Sequence, residues 1–594
     1  MARPPHSSVY MGVSGACRPS KEDMKVSQQL RSTMGKMEVI VMCALMAASV
    51  LVIASSDVVW AEDITRGAVT GQTTAKGYDH PGQYLHVEPV KIADNMEPVV
   101  IHPEQDTEAR QKLGQLEKRF GKKPNILIFL MDDVGWMDPG FNGGGEAVGN
   151  PTPNMDRLSQ GGLILTSAYS TPSCTPTRAT IHLGQNPLHH GLLRPPMYGE
   201  PGGLDGAVTV ATVLQKLGYV TQGVGKWHMG ENEGSLPQNV GYDDYYGFLG
   251  VSDMYTEWRD IYFNPEIALS PSRFALMQKL PFNHNNVHCV KGKKDVENVY
   301  EINLSTIGNL DQDWANYSEK FIRKMAKSDR PWLLYHATRA GHFDNYPNDN
   351  YAGKSPARTV FSDSMVEADD ILGRLVRTLE ETGQLDNTLI IFTSDNGPEG
   401  EVPPHGRSPF RGHKGSSWEG GVRVPTFVYW KGVISSRKSD GLFDLADLFN
   451  TCISVAGAPA AEVAKYVPKD RYVDGIDQTS FLIADNGLSS RRSRIYTLNA
   501  HLSGVRIDEF KLIGALELEK ALFPRGYQAG FSGAIVTETG GATMVNLYTD
   551  PKEDVNVGVR HIPATVVLGA EYMRYSGVLQ KFPARVKVGF GTGN

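Results

Sequence analysis

The chain of 594 residues is poor in cysteine, with five in all. That is too few to staple a fold of this length, so a disulfide scaffold is excluded. Positive charge is not in excess: the formal net charge is −7. No global field recruits nucleic acid, and an anionic ligand must be held by a local cluster of cations. The first apolar run, Val39 to Ala54, falls short of the ~20 residues that a membrane span needs. There is no internal repeat and no glycine-rich nucleotide fingerprint.

What is there begins with a leader. Arg31 and Lys36 precede the apolar run, and Ser55 to Ala61 with the acidic pair Glu62-Asp63 follow it. A basic flank, a short apolar core and a closing alanine predict a secretory signal over residues 1–61, with an uncleaved anchor as the alternative. Met1 to Lys36 is long for the basic region, which makes Met24, Met34 or Met37 alternative starts. The expected location is periplasmic or secreted, without membrane attachment after cleavage. Residues 1–61 hold six Lys or Arg and four Asp or Glu, so the remainder carries −9 and keeps Cys174, Cys289 and Cys452. Whether two of these pair stays open.

Residues 62–121 read as an extended polar arm with one helix near Asp106–Phe120. From Pro124 the character changes. Asn125 to Met131 is a continuous apolar run, as in a strand buried on both faces. Similar strands are expected at Tyr219–Val224, Trp332–His336 and Thr388–Phe392, with helical patterns at Val208–Leu217, Asp311–Ala326 and Ser362–Thr382. The alternation predicts an α/β fold over residues 122–489: a mostly parallel central sheet flanked by helices. Past residue 490 come short strands with turns (Arg494–Leu498, Gly504–Ile507, Phe510–Ile513, Met544–Tyr548), read as a smaller antiparallel α+β subdomain over 490–594.

Ligands of an open parallel sheet bind beyond the carboxyl ends of its strands. Asp132-Asp133, then Gly135 and Asp138, follow the first expected strand. Gly225-Lys226-Trp227-His228 follow the second, His342 the third, and Ser394-Asp395-Asn396-Gly397 the fourth. Any one of these has an ordinary explanation as a turn or a solvated loop residue. Together they supply three carboxylates and one amide oxygen, a donor set suited to Ca2+, or Mg2+, rather than zinc. Lys226 and His228 are two residues apart and so share a face in extended chain. Lys414 sits in a glycine-flanked loop. Cys174, in Thr171-Pro-Ser-Cys-Thr-Pro-Thr-Arg178, stands among hydroxyl residues rather than in an apolar run. Pro176 suits the first turn of a helix, which puts Cys174 at an N-terminus that favours anions, with Arg178 four residues on over the same face.

These residues resemble the sulfatase family of the alkaline-phosphatase-like fold. Cys174-Thr175-Pro176-Thr177-Arg178 matches its Cys-x-Pro-x-Arg motif. Gly218 to His228 resembles its second signature, and Asp132-Asp133 and Ser394 to Gly397 match its metal motifs. Trp418 to Pro425 and Asn546 to Pro551 are also similar, so the resemblance covers about Lys123 to Arg560. Two departures stand out: His182 replaces an apolar residue, and Gly341-His342 replaces Pro-His.

The resemblance implies a sulfuric ester hydrolase, arylsulfatase-like, acting on a sulfate-ester small molecule or a sulfated glycan. It implies that a formylglycine-generating or equivalent maturation enzyme converts Cys174 to formylglycine. One hydroxyl of the hydrated aldehyde would attack sulfur; loss of the other's proton would re-form the carbonyl and expel sulfate. Asp132, Asp133, Asp395, Asn396 and the modified Cys174 would hold the metal. Arg178, Lys226 and Lys414 would compensate charge on the hydrate and sulfate, His228 would take the hydroxyl proton, and His342 would protonate the leaving group. A phosphonate or phosphate ester hydrolase of the same superfamily is the alternative, and a silent sulfate-sugar binding protein a more distant one. Tyr242, Tyr245, Tyr246, Tyr255 and Trp258 are read as packing, with stacking on a substrate ring as the alternative. The substrate pocket is expected from loops between Met229 and Asn309 and from the C-terminal subdomain.

Overall fold

Every residue of Asn125–Met131 (β1) is buried, and the reason is visible in where its side chains go. Ile126, Ile128 and Leu130 pack into one apolar layer, while Leu127, Phe129 and Met131 pack into another on the opposite face. A strand dry on both faces needs no polar alternation. The computed structural model describes residues 84–196, 198–200, 202–204, 206–400, 402–517, 535–537, 543–584 and 588. The expected leader and the first part of the arm lie outside the described residues.

In chain order the central strands are β1, β2 (Leu163–Leu165), β3 (Val220–Lys226), β4 (Asp244–Phe248), β5 (Asn285–Val290) and β6 (Glu297–Glu301). β7 (Trp332–Ala337), β8 (Thr388–Ser394), β9 (Thr426–Tyr429) and β10 (Arg437–Ser439) complete them. They form one ten-stranded sheet in the order β10-β2-β9-β8-β1-β7-β3-β4-β5-β6. The middle five, β8-β1-β7-β3-β4, are parallel. Antiparallel pairs flank them, β8-β9 and β9-β2 on one side and β4-β5 and β5-β6 on the other, and β10 adds to β2 in parallel at the edge.

The helices that matter here are α1 (Pro103–Phe120), α2 (Cys174–Leu183), α3 (Val210–Lys216), α4 (Leu310–Met325), α5 (Val360–Glu381), α6 (Asp447–Val455) and α7 (Ile562–Lys581). Ile181, Val213 and Phe449, from α2, α3 and α6, join one layer. Trp314, Ile322, Ile371 and Leu375, from α4 and α5, join the other. The Thr359 hydroxyl caps α5 by accepting from the Ser362 N–H. α1 starts at Pro103, three residues before the expected Asp106, because proline at the first helical position loses no hydrogen bond. The residues before it are not a free arm. Glu97 N–H donates to Val473 O at 3.0 Å and Val100 N–H to Ser490 O at 2.9 Å, so the chain is stitched along residues 473–490.

The C-terminal sheet, β11 (Arg494–Leu498), β12 (His501–Ile507), β13 (Phe510–Ile513) and β14 (Met544–Asn546), is antiparallel in that order. α7 covers it through Ala564, Leu568 and Tyr575. A buried polar clasp ties this sheet to the loop that carries Lys414. Glu419 accepts from Tyr169 Oη at 2.6 Å and Tyr496 Oη at 2.7 Å. Lys511 Nζ on β13 donates to Glu553 at 2.6 Å and to Ser417 O at 2.9 Å, and lies 3.4 Å from Glu419. Burial alone would raise the Glu419 carboxyl, but Lys511, Arg423 and Arg506 outweigh it and hold it down at about 2.

Removing one partner of such a buried cluster strands charge without compensation. Lys511→Ala is therefore expected to destabilise the protein by about 3–5 kcal/mol, read as a lowered thermal or denaturant midpoint. An unchanged midpoint would show that the clasp carries no stability.

Candidate active site

The parallel register brings four strand ends to one edge. Met131 on β1 pairs with Ser394 on β8, so the residues that follow, Asp132 and Asp395, emerge side by side. On the other flank of β1, β7 leads to His342, and β3 beyond it ends at Lys226 and passes into His228. α2 begins at Cys174 itself, and all ten of its residues are buried. The structure brings every residue expected at the site to this edge, and Cys174, Asp132, Asp133 and His342 offer ligand atoms within 4.8 Å of one another.

The carboxylates are divided between two duties. Asp132 Oδ2 accepts from Lys226 Nζ at 2.5 Å, while its Oδ1 has no hydrogen-bond partner. Asp133 Oδ2 accepts from Lys414 Nζ at 2.7 Å, while its Oδ1 lies 2.7 Å from Asn396 Nδ2 and 4.0 Å from Cys174 Sγ. Asp395 Oδ2 accepts from Arg178 Nε at 3.0 Å and Nη2 at 2.7 Å, and its Oδ1 accepts from the Asp133 N–H at 3.2 Å. Asn396 Oδ1, also buried, has no partner. Orphaned buried oxygens cost free energy unless something binds them. Hard oxygen donors converging beside a thiol fit a hard divalent cation, so the residues present suit the metal that the sulfatase resemblance implies.

The electrostatics agree. Burial pushes Asp133 up to about 8, with Asp132, Glu399 and Asp395 adding to the rise and Lys414 opposing it. Burial and the Asp132 charge raise Asp395 to about 6 against the pull of Arg178 and Lys226. Asp132 goes the other way: Lys226, Arg178 and Lys414 together overcome burial and hold it well below the usual range. Burial raises the Cys174 thiol, so the unmodified sulfur is a neutral thiol at pH 7.

Both histidines are held well below the ordinary imidazole range by burial and by neighbouring cations. Both are therefore neutral near pH 7. His342 Nδ1 lies 3.0 Å from Phe343 O, which can only accept, so that nitrogen carries the proton. Nε2 is then the acceptor facing Lys414 Nζ at 3.3 Å. Neither ring nitrogen of His228 has a protein partner.

Backbone geometry fixes these groups. Asp133 and His228 have φ of 57° and 56°, in the left-handed region that costs about 1 kcal/mol or more for a side-chain-bearing residue. Thr175 Oγ1 donates to His228 O at 2.6 Å and helps hold that turn. Gly341 explains the departure from Pro-His. Its φ is 103°, which proline cannot adopt, and a Cβ there would lie 2.1 Å from Asp132 O.

His182, the other departure, supports Arg178 from beneath. One ring nitrogen lies 2.7 Å from Arg178 O and the other 2.8 Å from Tyr242 Oη. Tyr242, Tyr245, Tyr255 and Trp258 are buried core residues, and Tyr246 stacks on Tyr317 at 4.4 Å, as packing requires. Cys289 and Cys452 are buried free thiols. One charged neighbour was not expected from sequence: Glu399, whose Oε2 lies 3.4 Å from Lys414 Nζ. No periodicity marks it; only its place just past the Asp395 turn could have.

An alkaline-phosphatase-like sheet with a carboxylate cage, three cations and a helix-N-terminal cysteine defines a hydrolase of anionic esters. A family model described as "Sulfatase" matches residues 124–458, and a second, described as "Putative sulfatase AslA C-terminal domain", matches residues 503–580. N-acetylgalactosamine-6-sulfatase of Canis lupus familiaris is 30% identical over 407 residues, which is 65% of this chain and 71% of that protein. Arylsulfatase A of Homo sapiens is 30% identical over 389 residues, 63% of this chain and 70% of that protein. The crystal structure of PsFucS1 sulfatase from Pseudoalteromonas sp. superposes with a TM-score of 0.79 at 37% identity, covering 84% of this chain and 99% of that one. The chain belongs to the sulfatase family and is a sulfuric ester hydrolase.

Gly341→Ala forces a Cβ against the Asp132 carbonyl and is expected to cost about 2–3 kcal/mol. It should also displace His342. The check is a thermal midpoint measured beside the rate on an aryl sulfate; wild-type values for both would refute the close-approach argument.

Proposed function

We propose that this sulfatase removes sulfate from a glycan, using formylglycine at position 174 and a Ca2+ ion. One observation carries the reading. The Cys174 sulfur sits 4.0 Å from Asp133 Oδ1, in a buried cage whose cations, Arg178, Lys226 and Lys414, are all tied to the same three carboxylates. The metal would be held by Asp132, Asp133, Asp395, Asn396 and the modified residue 174, and would supply positive charge to a sulfate oxygen and to the hydrate. The oxygen-rich donor set favours Ca2+ over a softer ion. One kind of relative supports a sugar substrate by its name: N-acetylgalactosamine-6-sulfatase, matched over 407 residues in Canis lupus familiaris and 372 in Homo sapiens.

The chain's own groups then divide the work. One hydroxyl of hydrated residue 174 gives its proton to a carboxylate of the cage as its oxygen attacks sulfur, and the bond from sulfur to the ester oxygen breaks. The sulfate anion, lying against Lys414, favours a proton on His342 Nε2, which passes it to the departing oxygen. His228, with both ring nitrogens uncommitted, accepts the proton of the second hydroxyl; the carbonyl re-forms as the bond to sulfate breaks. Lys226 and Lys414 hold sulfate oxygens, and Arg178 compensates charge on the hydrate. A separate maturation enzyme would oxidise the thiol. The leader-like sequence supports a periplasmic or secreted location. Among the described residues no helix is long and apolar enough to cross a membrane.

Mass spectrometry of the peptide holding Cys174 is expected to show an aldehyde in active protein, and Cys174→Ala to abolish turnover with the fold intact; an active enzyme with an unmodified thiol would overturn the mechanism. Removal of divalent ions by a chelator should abolish turnover and lower the thermal midpoint, because it leaves Asp132, Asp133 and Asp395 repelling one another. Ca2+ should restore both. Full activity and stability in chelator would exclude the metal.

A further inference from the structure

Lys414 is engaged from three sides. An ammonium has three N–H groups, and three acceptors lie around this one: Asp133 Oδ2 at 2.7 Å, His342 Nε2 at 3.3 Å and Glu399 Oε2 at 3.4 Å. In the mechanism above Asp133 serves the metal and His342 the leaving oxygen. Glu399 has no part in it, yet it is 7% exposed, and its charge reaches the cage, where it adds to the rise of Asp133.

The Glu399 carboxylate is fixed in place. Its Oε1 accepts from the Gly400 N–H at 2.9 Å. The chain is also pinned on either side of it. Lys414 N–H donates to Pro398 O at 3.0 Å, and Gly400 lies so close to His413 that a Cβ would stand 2.3 Å from the ring. The Glu399 charge therefore stays beside the ammonium when Lys414 turns a proton elsewhere.

Sulfate has to share that ammonium. With three acceptors already set around three N–H groups, a sulfate oxygen displaces or shares one of them, and the Glu399 charge remains on the same cation. Two anions on one cation repel each other, in proportion to the product of their charges. The sulfate ester that enters is a monoanion, and the inorganic sulfate that leaves is a dianion. A fixed negative charge thus opposes the product about twice as strongly, in free energy, as it opposes the substrate.

We propose that Glu399 is a positioning residue that acts through Lys414 to favour product release: its carboxylate, held on the same ammonium as the sulfate, weakens the grip on inorganic sulfate more than the grip on the sulfate ester. A partner that only steadied Lys414 would have the opposite signature, because its loss would loosen the lysine and weaken both. The inference rests on the reading above in which Lys414 holds a sulfate oxygen.

The test measures the inhibition constant Ki of inorganic sulfate, with KM and kcat for 4-nitrophenyl sulfate, in wild type, Glu399→Gln and Glu399→Asp. Calorimetric titration of sulfate into Cys174→Ala protein, with and without Glu399→Gln, gives a readout independent of turnover. Glutamine keeps the size of the side chain and an acceptor for the Gly400 N–H, and removes the charge. Glu399→Gln is expected to lower Ki about tenfold and KM about threefold, since doubling a free energy squares the ratio; the calorimetric Kd should fall with Ki. Glu399→Asp, which retains the charge, should return the ratio of Ki to KM towards that of wild type. Equal changes in Ki and KM, a rise in either, or no change in Glu399→Gln would overturn the proposal. Lys414→Ala separates it from the reading beneath it. That variant should raise both constants; if it moves neither, the assignment of Lys414 to sulfate falls and the role of Glu399 with it. If Lys414→Ala raises both while Glu399→Gln changes nothing, only the role of Glu399 is lost.

Discussion

Asp132 and Asp133 are adjacent in sequence, both fully buried, and joined at the sheet edge by Asp395. Like charges a few ångströms apart in such surroundings repel by about 4 kcal/mol per pair, taking an effective dielectric constant of about 20. The rest of the site answers that problem. Lys226, Lys414 and Arg178 each take one carboxylate oxygen, which leaves Asp132 Oδ1 without a hydrogen-bond partner and Asp133 Oδ1 beside Asn396 Nδ2 and the sulfur of Cys174. The same cations form the positive field that a chain of net charge −7 lacks as a whole.

Holding such a cluster still requires scaffolding from several directions. Parallel pairing fixes where Asp132 and Asp395 leave the sheet. Gly225, with φ of 101°, lets β3 approach β7, where a Cβ would lie 1.9 Å from Ala337 O. Lys414 sits on a loop rather than a strand, and its rigidity comes from outside the sheet, through Ser417, Glu419, Lys511 and Glu553. The C-terminal subdomain is therefore part of how Lys414 is placed.

Much of this was legible in the residues. Continuous apolar runs marked β1, β7 and β8 because strands dry on both faces have one pattern, and the motifs at their ends marked the cage. What lay beyond reach depends on contacts between distant segments. The Glu419–Lys511–Glu553 clasp joins residues more than ninety positions apart, and nothing in local spacing announces it. Gly341 was visible only as a departure from pattern; its left-handed backbone and its contact with Asp132 supply the reason. The tyrosines after β3 could equally have lined a pocket, and burial settles them as core.

Every residue of α2 is buried, and Cys174 is only 1% exposed. A sulfate group is small enough to enter a narrow cage, but a second protein is not: it would need several residues on either side of the sulfur in its own cleft. Any catalyst that oxidises this thiol must therefore work on the nascent or still unfolded polypeptide, before the sheet closes over it. On the proposed mechanism, a chain that folded before its thiol was oxidised would stay inactive.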